Sequence, residues 1–451
     1  MDQKTKISSL LPILVALIAL SPCRLVVVFA QEPSLPPPRD VPANKQETAE
    51  GLSLDEAIEI LVRRNYDLRL KYQDIPKARA DVLSAGLRNN PSVFFSADGI
   101  PYGNYSEQRP GETDYELTLI QPTDVSGKRR RRIQLAERAQ RVIEALYQDA
   151  VRQEIDKLGS AYTDVLGADI GVRAAQADVL LEGERVKTLR DLVRRGGVRP
   201  RSDLTQATVN QGKAETALKR AEATLLQSRR DLATLLVVPP ERADALTLRG
   251  AIHDKGPLPP SADDLIRVAM RIRPDLTAYR LNVHRAQAQV RRTQAEKFED
   301  VLLFYTPYQI QTFPGQQAQA APGWETGALV ALPVFDRKQG DLARANVEVS
   351  QTETEVRAVE QQIAIEVRQA AADYAVSRAS AERYERDILP AARDVLDAKN
   401  RTFAGGMSGR EELLAAFKDY NAIVRQYEEA LLRLRRDALK LNTAVGQRLM
   451  P

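Results

Sequence analysis

The chain reads as a mainly α-helical fold with a small β part, organised as long coiled-coil hairpins. Three observations predict this. The sequence matches itself at an offset of 208 to 209 residues. Each half carries a helical pattern far longer than a compact core needs. Each half also carries one pair of short runs rich in aromatic and β-branched residues, as strands are.

The elements follow in order. Lys4 and Lys6 precede an apolar stretch, Leu10 to Leu20, that is too short to span a bilayer, and Val28-Phe29-Ala30 has the form of a cleavage site. Residues 1–30 therefore read as an export signal. Pro22 and Arg24 argue against one continuous anchoring helix, and Pro22 makes Cys23 a poor lipidation site. With cleavage after Ala30 the mature chain has no cysteine, hence no disulfide and no thiolate metal site. Residues 31–50, with Pro33, Pro36, Pro37, Pro38 and Pro42, form a flexible lead-in.

The first repeat spans 51–249 and the second 261–446, joined by the Pro/Gly-rich linker 250–260. Asp55, Glu56, Ile58, Arg63, Asp67 and Leu68 fall on Asp263, Asp264, Ile266, Arg271, Asp275 and Leu276. Ser53 and Ser261 each open a helix with an acid three residues on, a capping-box signature. Further along, Gly197, Arg201, Asp203, Leu204 and Ala207 meet Gly406, Arg410, Glu412, Leu413 and Ala416. Each repeat begins with short helices, 54–65 and 67–90 in the first. A strand pair follows, within 91–121 in the first repeat and 301–334 in the second. Then come a very long helix (128–195 and 338–403), a Gly-Gly turn (tips at 194–203 and 403–412) and a shorter return helix (203–236 and 411–445).

A helix of some 67 residues is about 100 Å long at 1.5 Å per residue. Its apolar positions, such as Val142, Leu146, Ile155, Leu158 and Tyr162, make a narrow seam like that of a coiled coil. The return helices are too short to cover it, and the leading helices laid end to end with them fill the gap. Four strands cannot close a transmembrane barrel alone, because an open edge is not tolerated in lipid. Exported, with no spanning helix, such a chain suggests one barrel shared by several copies; three would give twelve strands. A soluble two-hairpin sheet packed on helices stays open on the strands alone.

Charge excludes one class of partner. Lys plus Arg is 65 against 61 Asp plus Glu, and removal of residues 1–30 leaves 62 against 60, too even a balance for nucleic acid. The motifs exclude enzymatic chemistry of the familiar kinds: carboxylates are scattered at the spacing of helical ion pairs, with no phosphate loop and no nucleophile elbow. No cofactor is expected. Beyond the signal the chain offers only His253 and His284, neither near another histidine, so no metal site is expected.

Leu52-Ser53-Leu54-Asp55-Glu56-Ala57, the tips Arg195-Gly196-Gly197-Val198 and Gly405-Gly406-Met407, and above all the duplicated order of elements resemble the TolC family of outer-membrane efflux proteins. The resemblance covers essentially the whole mature chain. It implies a homotrimer: a twelve-strand barrel in outer-membrane lipid, continued by a twelve-helix periplasmic tunnel. It also implies docking to a periplasmic adaptor and to an inner-membrane pump, taken as proton-driven. Asp124-Val125-Ser126-Gly127-Lys128-Arg129 and Leu332-Pro333-Val334-Phe335-Asp336-Arg337-Lys338-Gln339-Gly340 are similar to the cobalt–zinc–cadmium branch, which implies divalent cations as cargo.

Two sets of residues are candidates for contact with partners. The tips, with Arg194, Arg195, Gly196, Gly197, Asp203, Leu204, Gly405, Gly406, Glu412 and Leu413, are expected to meet the adaptor. A helix-ending glycine is usually only a cap, but paired glycines in both repeats suggest a tight exposed turn. Lys128, Arg129, Arg130, Arg131 and Arg132 follow a strand directly and are expected at the lipid headgroups; the plainer reading is a solvated helix start. Channels for organic solutes or secreted proteins are the competing reading of cargo. A periplasmic adaptor is disfavoured because it would have one hairpin and no duplicated strand pair, and a structural coiled coil is disfavoured by the strands.

Overall fold

A computed structural model describes residues 51–100, 102–103, 113–194, 201–249, 257–312, 322–407 and 409–449. The expected signal, the lead-in, most of the linker, His253 and the tip residues Arg195, Gly196 and Gly197 lie outside them. The first half contains α1 (Leu54–Arg64), α2 (Tyr66–Tyr72), α3 (Asp74–Gly86), β1 (Ser92–Asp98), β2 (Thr113–Thr123), α4 (Lys128–Arg194), α5 (Arg201–Leu235) and the single turn α6 (Pro240–Ala243). The second contains α7 (Ala262–Ile272), α8 (Pro274–Ala295), β3 (Val301–Thr312), β4 (Pro322–Leu329), α9 (Gln339–Arg383), α10 (Leu389–Ala404) and α11 (Arg410–Val445).

Local chemistry sets the boundaries. Ser53 and Glu56 close a reciprocal capping box at the start of α1, and Ser261 caps α7 through the Asp264 N–H. Asn65 ends α1 and starts α2, its side chain accepting from the Leu68 N–H at 3.0 Å. β4 stops at Leu329, short of the expected Val334. Pro333 has no N–H for a ladder, and Val330 to Val334 run on as exposed irregular chain.

α4 is one unbroken helix of 67 residues, roughly 100 Å long. Its counterpart in the second half is interrupted: a π-turn at Tyr384–Ile388 separates α9 from α10. Pro390 is the cause. It offers no N–H to the preceding turn, and its ring crowds the carbonyl four residues back, so the backbone widens just ahead of it.

The four strands make one antiparallel sheet in the order β1-β2-β3-β4, with the two hairpins joined through β2 and β3. α3 runs back along the start of α4, where Arg129 reaches the Gly86 carbonyl and Tyr72 meets Tyr147 edge-on at 5.5 Å. Farther along α4 the return helix α5 takes over: Leu232 packs with Leu158, and Ala207 with Leu189. Leading and return helices thus cover the long one end to end.

Two main cores match each other across the duplication. One gathers Leu54, Ala57, Leu61, Leu158, Tyr162, Val165, Leu232 and Leu236. The other gathers Leu265, Ala269, Leu276, Val367, Ala370, Tyr374, Leu441 and Val445. Tyr162 and Tyr374 are each almost fully buried, at 2% and 1% exposure. Burial pushes the Tyr162 hydroxyl up to about 12, so it stays protonated between the Leu52 and Arg249 carbonyls at 2.9 and 2.6 Å.

Candidate functional site

The second tip is described from helix to helix. α10 ends at Ala404, with Gly405 as cap and Gly406 at φ +72°. The Met407 N–H donates to the Thr402 carbonyl at 2.9 Å, and the Gly406 N–H to the Phe403 carbonyl at 3.0 Å. That pair of bonds is a Schellman motif, and Gly406 is its left-handed residue. Gly405 sits at φ −79°, so only one of the paired glycines is demanded by backbone conformation. Glu412, in the first turn of α11, pairs with Lys399 across the turn at 3.5 Å, and Leu413 is buried.

At the first tip, Arg194 closes α4, Asp203 lies in the first turn of α5, and Leu204 packs on the Val186–Leu189–Ala207 cluster. The last described turns of α4 lie beside the start of α11. Arg410 meets Glu184 at 2.8 Å and Arg185 meets Glu411 at 3.5 Å, linking α4 to the start of α11. The pairing continues away from the tips through Lys418–Glu182 at 2.6 Å, Arg425–Asp178 at 3.9 Å and Arg436–Asp164 at 2.7 Å. Lys187 and, less strongly, Arg410 hold the Glu184 carboxyl below the usual range, so it stays charged.

The basic run has a second occupation that spacing alone did not reveal. Asp124 caps α4: its carboxylate accepts from the N–H groups of Ser126, Lys128 and Arg129 at 3.1, 3.0 and 2.8 Å. Partial burial would raise its pKa, but the backbone donors outweigh that and hold it below the ordinary value. Lys128 pairs with Asp300 just ahead of β3 at 2.7 Å. Arg129 and Arg132 donate to the Gly86 and Leu87 carbonyls at the end of α3, where cations also meet the negative helix terminus. Arg131 bonds Gln134 on its own helix at 3.0 Å. Arg130 points out, exposed. Most of the run therefore ties the sheet-to-helix junction together. In the second repeat Asp336 accepts from the Lys338 N–H at 2.8 Å, and Lys338 adopts the left-handed φ of +58°.

The sheet has two unlike faces, which the register defines. Val93, Phe95, Tyr115, Leu117, Leu119, Leu303, Tyr305, Tyr308 and Trp324 share one face. Phe95 and Trp324 are 67% and 70% exposed there. Asp98, Asp114, Glu116, Thr118, Thr306, Gln309 and Glu325 share the other. Thr118 and Thr306 meet across β2 and β3 at 2.9 Å, both donating toward Glu116, and Gln309 donates to Asp114 at 3.1 Å. Sequence reasoning did not single out these carboxylates. The signal was present as the strict alternation Asp114-Tyr115-Glu116-Leu117-Thr118-Leu119.

Among the described residues no three His, Cys, Asp or Glu side chains are placed to hold a metal ion, and His284 is exposed on α8. No described helix is long and apolar enough to cross a membrane, which leaves a β-barrel open.

Residues 57–237 match the family described as outer membrane efflux protein. Over 381 residues the chain is 26% identical to the cobalt-zinc-cadmium resistance protein CzcC of Cupriavidus metallidurans, covering 83% of this chain and 85% of that one. The fold matches the CmeC outer membrane channel of Campylobacter jejuni with a TM-score of 0.70 at 14% identity, covering 90% and 91% of the two chains. It matches CusC with a TM-score of 0.69 at 16% identity, covering 87% and 92%. The architecture is thus that of the TolC-like channels, helical barrel and β-barrel combined.

Proposed function

We propose that the chain, which matches the outer membrane efflux protein family over residues 57–237 and is 26% identical to a cobalt-zinc-cadmium resistance protein, is the passive exit duct of a tripartite efflux system for divalent heavy-metal cations. The observation that carries the duct is the open sheet. Among the described residues β1 and β4 each leave one edge unpaired, and the apolar face beside them is exposed. Edges of that kind must be paired in lipid, and the partners at hand are the same edges of further copies. Three copies give a twelve-strand barrel, so the working form is a homotrimer. The signal at 1–30 delivers the chain to the outer membrane, and the repeats 51–249 and 261–446 each contribute one hairpin to barrel and tunnel.

The tips dock the periplasmic adaptor, through which a proton-driven inner-membrane pump delivers cargo. Neither catalysis nor a cofactor is part of this function. Arg130 reaches the lipid headgroups, while its neighbours brace the junction.

Divalent cations as cargo rest on the likeness to a cobalt-zinc-cadmium resistance protein over most of both chains. Organic solutes are the second reading, and secreted proteins are a further cargo this fold would admit. Deletion of the gene, followed by growth on zinc, cobalt or cadmium and separately on dyes and detergents, decides between them. Loss of metal tolerance is expected; sensitivity to the organic compounds alone rejects metal cargo. Cross-linking in detergent should give trimers, and a limit at monomer or dimer rejects the shared barrel.

A further inference from the structure

The passage from β4 to α9 exposes more apolar surface than a strand-to-helix turn requires. Val330, Leu332, Val334 and Phe335 all stand out from the chain, Leu332 at 76% and Phe335 at 91% exposure. The equivalent passage of the first repeat, 123–127, leads from β2 into α4 with one exposed apolar residue, Val125. The turn itself therefore does not demand the apolar run.

The run is irregular, yet much of its backbone is hydrogen-bonded within the segment. The Val334 N–H donates to the Leu332 carbonyl at 2.8 Å. Arg337 Nε donates to the Pro333 carbonyl and Gln339 Nε2 to the Phe335 carbonyl, each at 3.2 Å. Pro333 has no N–H to satisfy. Irregular backbone enters the edge of a bilayer only when its polar groups have partners of this kind. Arg337 and Lys338 follow at once, against one acid, Asp336, which Lys338 pairs at 3.3 Å. An apolar front with a cationic back is the make-up of an interfacial anchor.

The surroundings point to lipid as the occupant. The apolar sheet face, with Phe95, Tyr305 and Trp324, leads straight into this run, since Val330 directly follows β4. In the shared barrel β4 lies beside β1 of the next copy. The residues of that copy nearest the run are then those just ahead of its first strand, Arg88, Asn89, Asn90 and Pro91, mostly polar and all exposed. Such neighbours give Leu332 and Phe335 no apolar cover.

We propose that residues 330–335 are a lipid anchor in the periplasm-facing leaflet, with Leu332 and Phe335 among the upper acyl chains and Arg337 at the phosphates. The inference rests on the exit-duct reading, which puts the apolar sheet face in lipid. Each copy then grips the leaflet at the foot of the barrel, where the rigid tunnel begins.

Trp324 is the one tryptophan of the chain and stands exposed on the apolar sheet face, so fluorescence tests anchor and sheet separately. The full channel is reconstituted in phosphatidylethanolamine–phosphatidylglycerol vesicles whose acyl chains are brominated either near the headgroup or near the tail. The probe is Phe335→Trp in a Trp324→Phe background. Its emission should fall by about half or more with shallow bromines, roughly twofold further than with deep ones, while iodide in the buffer takes little. If that variant does not insert, Leu332→Trp in the same background should behave alike. Quenching by iodide and not by bromolipid puts the run in water and overturns the anchor. Quenching by neither buries it between copies and overturns it as well. Wild-type Trp324 is the control: if bromolipids leave it bright, the barrel in lipid fails, and the exit duct with it. If they quench Trp324 and not the probe, the anchor alone fails.

Discussion

Gly406 gives the sharpest test of the tip, because its requirement is purely conformational. At φ +72° it occupies the left-handed region, yet a Cβ built there meets nothing within 4 Å. Replacement therefore costs backbone strain and no packing. For Ala the left-handed conformation costs about 1 to 2 kcal/mol, more for β-branched Val, and Asn largely escapes it. If the adaptor binds the tip in this conformation, the strain is the upper limit of the lost affinity. Ala should then weaken adaptor binding by about 5- to 30-fold, since 1.4 kcal/mol is tenfold. Asn should bind nearly as glycine does, and Val should be weakest. On the proposed assembly, the assay is the affinity of the purified channel for a periplasmic adaptor, with oligomer content and heat stability as controls. Those controls should stay unchanged, because the tip lies outside both main cores. Equal binding by the Ala and Asn variants, or an unchanged affinity throughout, would refute a docking role for this turn.

Three further outcomes are expected. Arg273 is 5% exposed and holds Asp275 in a bidentate pair at 3.0 and 2.6 Å, along with Glu366 and the Ala444 carbonyl. Its replacement by Ala should cost about 3 to 5 kcal/mol in denaturant unfolding, and a loss under about 1 kcal/mol would contradict the network's importance. Burial would raise the Asp275 carboxyl, but Arg273 outweighs it and holds the pKa below normal, so this stability is present above about pH 4 and is lost as pH falls below it; a wild-type melt that does not soften on acidification more than the Arg273→Ala melt contradicts the sign. Asp124→Ala should speed hydrogen exchange of the 126–132 amides and cost about 1 to 2 kcal/mol at the head of α4, and unchanged exchange rates would remove it as the cap. His253→Ala with His284→Ala should leave metal tolerance unaltered, and a clear loss would demand a histidine ligand that the exposed His284 gives no sign of being.

Element order and fold class were legible because each left a signal longer than its noise. A 67-residue seam cannot be mistaken for a globular helix, and Ser53 and Ser261 mark equivalent starts. The candidate sites were less legible. Paired glycines look alike in sequence, yet only at Gly406 does φ turn positive among the two that are described. Lys128 to Arg132 reads as one charge patch, whereas the fold spends Lys128, Arg129 and Arg132 on Asp300 and two carbonyls of distant sequence. The π-turn before Pro390 needed the backbone to be seen, since a proline inside a helical pattern can end it, kink it or widen it.

The duplication shows why residue identity fades while the physical demand persists. The last carbonyls of each return helix lie buried against the leading helices and need a donor. In the first repeat Asn65 supplies it, to the Leu235 carbonyl at 3.2 Å. At the offset of 208 the second repeat has Arg273, which donates to the Ala444 carbonyl at 3.0 Å. The larger cation brings its own desolvation problem, met by Asp275 and Glu366. Asn65 needs no such company, and the position aligned with Asp275, Asp67, makes no pair with it. The junctions diverge likewise: a left-handed residue must precede each long helix, and Gly127 fills that place in one repeat and Lys338 in the other. Comparison of the halves by identity therefore loses the two positions where the backbone demand is strictest. Comparison by the orphaned carbonyl and the sign of φ recovers them.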